Sequence, residues 1–151
     1  MLDETDRRIL RTLQADGRIT NQDLAERCHL SPAACHERFK RLRESGYIDS
    51  FAALLNPRKL ERGLLVFVEI LLERTTHDMF EKFAAAVRDC PEVLDCFMVA
   101  GGFDYLIKLR VRDMDAYRVL LGTTIVNLPG VRETRTYSVL EEVKSTIQLP
   151  I

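Results

Sequence analysis

No apolar run in these 151 residues approaches the ~20 needed for a membrane-spanning helix. The opening segment, Met1-Leu2-Asp3-Glu4-Thr5-Asp6, is acidic and lacks the apolar stretch of a secretory signal. The expected location is therefore the cytoplasm, with no membrane partner. Cysteine is sparse. Cys28, Cys35, Cys90 and Cys96 contain no C-x-x-C pair, and His29, His36 and His77 have no helical i, i+4 pairing with one another. That spacing supports no zinc site, and the cysteines read as reduced, small apolar core residues. No Ser/His/Asp set, paired-carboxylate, metal or P-loop arrangement is visible, so an enzyme is not expected and no cofactor is called for. Extreme charge is also lacking: the net charge is −1, divided as +2 over residues 1–60 and −3 over the remainder. An asymmetry that weak does not establish DNA binding on its own.

What is present is an ordered series of helix signals. Asp3 or Thr5 caps a first helix running to about Ala15, with Ile9, Leu10 and Leu13 on one stripe, and Asp16-Gly17 ends it. Thr20 to Asp23 resembles a capping box, the Thr20 hydroxyl accepting from the Asp23 amide, and Leu24, Ala25 and Cys28 form the apolar face behind it. Ser31-Pro32 starts a third helix, serine as cap and proline at the first helical position, where no amide is lost. It ends at Ser45-Gly46. Three helices within about 45 residues, with a short turn between the last two, are the layout of a helix-turn-helix.

Tyr47 to Leu55 looks extended and Asn56-Pro57 breaks it, which reads as a strand-like linker. Beyond it strands and helices alternate: Leu64 to Glu73, a helix from His77 to Asp89, strands at Val93 to Ala100 and Phe103 to Val111, a helix from Met114 to Leu128, and a last strand from Val131 to Val143. The βαββαβ order is the ferredoxin-like pattern. The expected class is α+β, with a helix-turn-helix domain over 1–50, a linker over 51–62 and a ferredoxin-like sandwich over 63–151. In the first strand Val66, Val68, Ile70 and Leu72 share one face, while Leu65, Phe67 and Leu71 lie on the other. The helices of a two-layer fold cover only one of these faces, so a second copy of the chain is the expected cover for the other.

With Cys35, Phe39 and Leu42 turned inward, the third helix presents Ala33, His36, Glu37, Lys40 and Glu44 outward, flanked by Arg38, Arg41 and Arg43. Such a helix fits the major groove of double-stranded DNA. Small Ala33 allows close approach, His36 can donate to a purine N7, and Glu37 can accept from cytosine N4. The candidate DNA contacts are Ser31, Ala33, His36, Glu37, Arg38, Lys40 and Arg41. A solvated charged face is the plain alternative.

Several runs together resemble the Lrp/AsnC (feast/famine) family of transcriptional regulators. They are Asp6-Arg7-Arg8-Ile9-Leu10, Gln14-Ala15-Asp16-Gly17-Arg18, Leu30-Ser31-Pro32, Ala53-Leu54-Leu55-Asn56-Pro57, Leu65 to Ile70, Phe103-Asp104-Tyr105-Leu106, Leu128-Pro129-Gly130-Val131 and Thr134-Arg135-Thr136-Tyr137. The resemblance implies a homo-oligomer, dimers assembling into rings that are commonly octamers, and association with the nucleoid. It also implies a small amino-acid effector, leucine-like, bound between neighbouring dimers. The residues it points to are Met98, Gly101, Gly102, Phe103, Asp104, Tyr105, Met114, Thr136, Tyr137 and Ser138. Gly102 departs from the acidic residue of many relatives. The chain also opens almost at its first cap, without a basic arm, so a weaker salt-dependent share of DNA binding is expected.

Read physically, Gly101-Gly102 exposes backbone amides that suit a carboxylate, and Asp104 beside them suits an ammonium. An ordinary hairpin turn fits the same residues, and Phe103 and Tyr105 fit a core or an interface equally. Two further readings stand beside the regulator: a DNA-architectural protein without a metabolite, and a regulatory subunit that binds amino acids.

Overall fold

A computed structural model describes residues 1–151, which form two compact units: Met1–Leu54 with Lys144–Ile151, and Leu55–Val143. No helix is long and apolar enough to cross a membrane.

The first unit holds three helices: α1 (Glu4–Ala15), α2 (Asn21–Cys28) and α3 (Pro32–Glu44). Each begins where a side-chain oxygen can replace the missing helical acceptor. Asp3 accepts from the Asp6 amide, Thr20 from the Asp23 amide and Ser31 from the Ala34 amide. At α1 the arrangement is a full capping box, because the Asp6 carboxylate also accepts from the Asp3 amide. His29 ends α2 in the left-handed region at φ 58°, and Leu30 N donates back to Ala25 O at 2.9 Å. That geometry makes the turn into α3 tight. Ile9, Leu10, Leu24, Ala25, Cys28, Cys35 and Leu42 form the core. Phe39, expected inward, is half-buried and leans on Phe51 with ring centroids 6.3 Å apart.

The second unit contains β1 (Leu64–Leu72), α4 (His77–Arg88), β2 (Val93–Met98), β3 (Tyr105–Val111), α5 (Met114–Thr123), a 3-10 turn (Ile125–Asn127) and β4 (Val131–Ser138). The strands make one antiparallel sheet in the order β2-β3-β1-β4, so the chain has the expected ferredoxin-like topology. Val66, Val68, Ile70 and Leu72 of β1 and Ile107 and Leu109 of β3 meet Phe83, Tyr117 and Ile125 in a single buried cluster.

Four expectations need correcting. The extended reading of residues 47–55 does not become a strand: that stretch is irregular, and nothing within the chain pairs with it. The long helix from Met114 breaks at Thr123-Thr124. There the Thr123 hydroxyl bonds back to Val119 O, and Asn127 Nδ2 donates to Thr123 O. A side chain that occupies the terminal carbonyl stops the helix as a cap does. β4 ends at Ser138 rather than Val143 because its partner ends: Val139 N donates to Leu65 O, and β1 begins one residue earlier. Finally, the last residues do not stay with the sandwich. Lys144–Ile151 joins the helical unit, where Gln14 exchanges hydrogen bonds with both backbone groups of Leu149 (3.0 and 2.6 Å).

Candidate functional site

Two groups of candidate residues lie in separate units. In the helical unit, the Ser31 cap and Pro32 fix the start of α3. The 3.6-residue period then decides what faces out. Cys35 and Leu42 are fully buried, and Ala33, His36, Glu37 and Lys40 are exposed. None of the side chains of His36, Glu37 or Lys40 forms an ion pair or hydrogen bond within the chain. Ser31 is committed to its cap.

Arg38 and Arg41, also candidate DNA contacts, are not free of partners within the chain. Both turn towards the start of α1. Arg38 Nη1 donates to Asp3 Oδ2 at 2.6 Å and to Asp6 Oδ1 at 2.8 Å. Arg41 Nη2 reaches both Asp6 oxygens, at 2.7 and 2.8 Å. Asp6 is only 2% exposed, the one buried charged residue of the chain. Two arginines and the Asp3 amide compensate it, as a buried carboxylate requires. The Arg38 guanidinium holds the Asp3 carboxyl below its ordinary range. Reading the sequence missed this cluster. Its signal was an aspartate three residues after an aspartate cap.

In the second unit, Val99 to Asp104 joins β2 to β3. Asp104 N donates to Ile70 O at 3.0 Å, and Asp104 Oδ2 accepts from Leu72 N at 2.8 Å, where the β1–β4 register shifts. One carboxylate oxygen is therefore structural, and the other has no donor within the chain. The amides of Gly101, Gly102 and Phe103 likewise donate to nothing in the chain. Neither glycine has a positive φ, and a Cβ at either would meet no atom within 4 Å. The chain itself thus makes no demand for glycine at these two positions. Tyr105 is different from its loop neighbours: it is 5% exposed, with its ring 4.5 Å from that of Phe83. It is a core residue, and burial pushes its hydroxyl pKa up.

The remaining candidates do not gather around the loop. Met98 is exposed and pairs with Tyr105 at the loop's own end of the sheet. Met114 begins α5, beyond the far end of β3. Seven strand residues lie between, so loop and Met114 are roughly 20 Å apart or more at 3.3 Å per residue. On β4, Thr136 and Ser138 pair with Val68 and Val66 on the helix side, and Tyr137 pairs with Phe67 on the open side. The Thr136 hydroxyl is bonded to the Tyr117 hydroxyl of α5. Tyr137 donates to Glu69 Oε1 at 3.0 Å.

Residues 65–149 match the Lrp/AsnC ligand binding domain, and residues 2–49 match a winged helix-turn-helix DNA-binding domain. The chain is 55% identical to the leucine-responsive regulatory protein of Salmonella typhimurium, over 99% of this chain and 92% of that protein. It is 54% identical to the protein of the same name from Escherichia coli K12, with the same coverage. Among solved structures it resembles a transcriptional regulator of Neisseria meningitidis in complex with L-Met. The TM-score is 0.95 at 41% identity, covering 99% of this chain and 97% of that one.

Proposed function

The chain belongs to the Lrp/AsnC family of transcriptional regulators, which are not enzymes, and on that premise we propose a regulator that couples the reading of DNA by α3 to a neutral, apolar amino acid held at a subunit junction. The helix-turn-helix supplies DNA binding, and the ligand-binding domain supplies amino-acid binding. The observation that carries the DNA half is the unpartnered outward face of α3: Ala33, His36, Glu37 and Lys40, presented by a capped, well-packed helix.

The effector half rests on the Gly101–Asp104 loop. Three free amides suit a carboxylate, and the uncommitted oxygen of Asp104 suits an ammonium. No arginine or second acid lies in that loop to favour a charged side chain, whereas Met98 offers an adaptable apolar wall. A leucine-like or methionine-like ligand fits these groups. One subunit leaves Met114 at the other end of the sheet, so a site that uses both requires neighbouring copies. The open sheet face points the same way. Phe67, Leu71 and Leu106 are half-buried there, Phe97 and Tyr137 are 51% and 49% exposed, and no helix covers them. A homodimer through this face, with dimers then joined into an octamer, follows from this reading.

Selection of bound fragments from a random-sequence DNA library by the full-length chain tests the DNA half. The expected result is a two-fold-related site whose half-sites lie one or more helical turns apart. His36→Ala or Glu37→Ala should change preference at one position of each half-site by roughly 1–3 kcal/mol, and Lys40→Ala should weaken all sequences alike. No enrichment, or four-base preferences unchanged in every variant, contradicts the assignment of α3.

A further inference from the structure

We propose that Asp6, on α1, is a positioning residue for DNA recognition: it holds Arg41 so that its free guanidinium nitrogens meet a backbone phosphate, and it fixes the presentation of α3. The proposal rests on the DNA reading given above.

The geometry separates the two arginines. Arg38 is 29% exposed and shares one nitrogen, Nη1, between Asp3 and Asp6. It closes the cluster from the protein side. Arg41 is 57% exposed and commits only Nη2, which bridges both oxygens of Asp6. Its Nε and Nη1 donate to nothing within the chain. A guanidinium offers five donors in a rigid fork, so anchoring one nitrogen orients the others. Arg41 follows Lys40 on α3, one residue beyond the last outward candidate contact. A cation held there against a 2% exposed carboxylate has given up much of its rotamer freedom before DNA arrives. Asp6 is itself fixed by the helix start: its amide donates to Asp3 Oδ1 at 2.7 Å and its carboxylate accepts from Asp3 N at 3.3 Å. The cap of α1, the buried carboxylate and Arg41 on α3 therefore form one continuous linkage. Cys35 and Leu42 hold the depth of α3 by apolar packing, which has no direction. The bonds to Asp6 are directional and limit rotation of α3 about its own axis.

Charge gives the proposal a signature that a purely structural role lacks. Removing a carboxylate near DNA should by itself tighten non-specific binding, because a repulsive charge is lost. Removing a positioning residue should loosen operator binding. The test is Asp6→Asn and Arg41→Gln in the full chain. Each is measured on the selected operator and on unrelated DNA across a salt series, with melting temperature recorded. For Asp6→Asn the expected result is operator affinity reduced roughly ten-fold with non-specific affinity unchanged or raised, so that the specificity ratio collapses. For Arg41→Gln the slope of log K against log salt on operator should fall by about one.

Equal losses of Asp6→Asn on both DNAs would mean folding damage alone and would overturn the proposal. A wild-type salt slope in Arg41→Gln would overturn it independently, even if Asp6→Asn fails to fold. If the wild-type chain itself binds no DNA, the regulator reading fails first, and that outcome is distinct from either variant result.

Discussion

Gly130 is the residue where local geometry leaves least room. It sits at φ +74° between the 3-10 turn and β4, and a Cβ there would run into Met79 Sδ and lie 2.9 Å from Met79 Cγ. Gly130→Ala combines backbone strain with overpacking against α4, a cost of about 1–3 kcal/mol. It should lower the thermal midpoint of the second unit, Leu55–Val143, by several degrees or more, at roughly 4–8 °C per kcal/mol for a unit of this size. An unchanged midpoint in calorimetry would mean that Met79 moves aside freely. At this scale the sequence is legible where the cause is local. The caps at Asp3, Thr20 and Ser31 are read from residue type and spacing alone. Asp6 is not, because its burial and its bonds to Arg38 and Arg41 join positions 32 and 35 residues away. The same holds for Tyr105, which is indistinguishable from its loop neighbours until Phe83 is seen against it.

Among the elements, the loop between β2 and β3 carries the effector proposal. Asp104 would have two tasks there under that proposal: Oδ2 secures the Leu72 amide at the register shift of β1, and the second oxygen is left to accept from an ammonium. Asp104→Ala should abolish the response to an amino acid. It should also leave the Leu72 amide unpaired, at a cost of about 1–3 kcal/mol if that group stays dry. DNA binding without ligand should persist, because α3 and its cap belong to the other unit. Calorimetric titration of wild type and Asp104→Ala with L-leucine and L-methionine checks this, and wild-type affinity in the variant would remove Asp104 from the site. Helix starts and strand order are legible at this scale because capping chemistry and alternation announce them. Element ends are less so. β4 stops because β1 offers no further backbone, and residues 144–151 leave the sandwich because Gln14 and Arg11 provide partners for their backbone. Neither cause lies within the segment it governs.

For the whole molecule, the sheet is covered by helices on one face and carries Phe67, Leu71, Leu106, Phe97 and Tyr137 on the other. Light scattering at micromolar concentration should therefore report at least a dimer, and a monomer would leave this face without a cover. The helix-turn-helix and the sandwich were both legible from the sequence. The proposed assembly was legible from the residues only as an apolar face in need of a cover, and the proposed effector site only as a Gly101-Gly102 turn with exposed amides. These two gaps meet in the central claim, that an amino acid bound between subunits changes the grip on DNA. The most direct measurement is the operator affinity of the full-length protein by fluorescence anisotropy, with and without each of L-leucine, L-methionine, L-aspartate and L-lysine. The account predicts that leucine or methionine shifts the apparent Kd by about 5- to 150-fold while the charged pair does not. An affinity unmoved by either apolar amino acid, or moved only by aspartate or lysine, would contradict it.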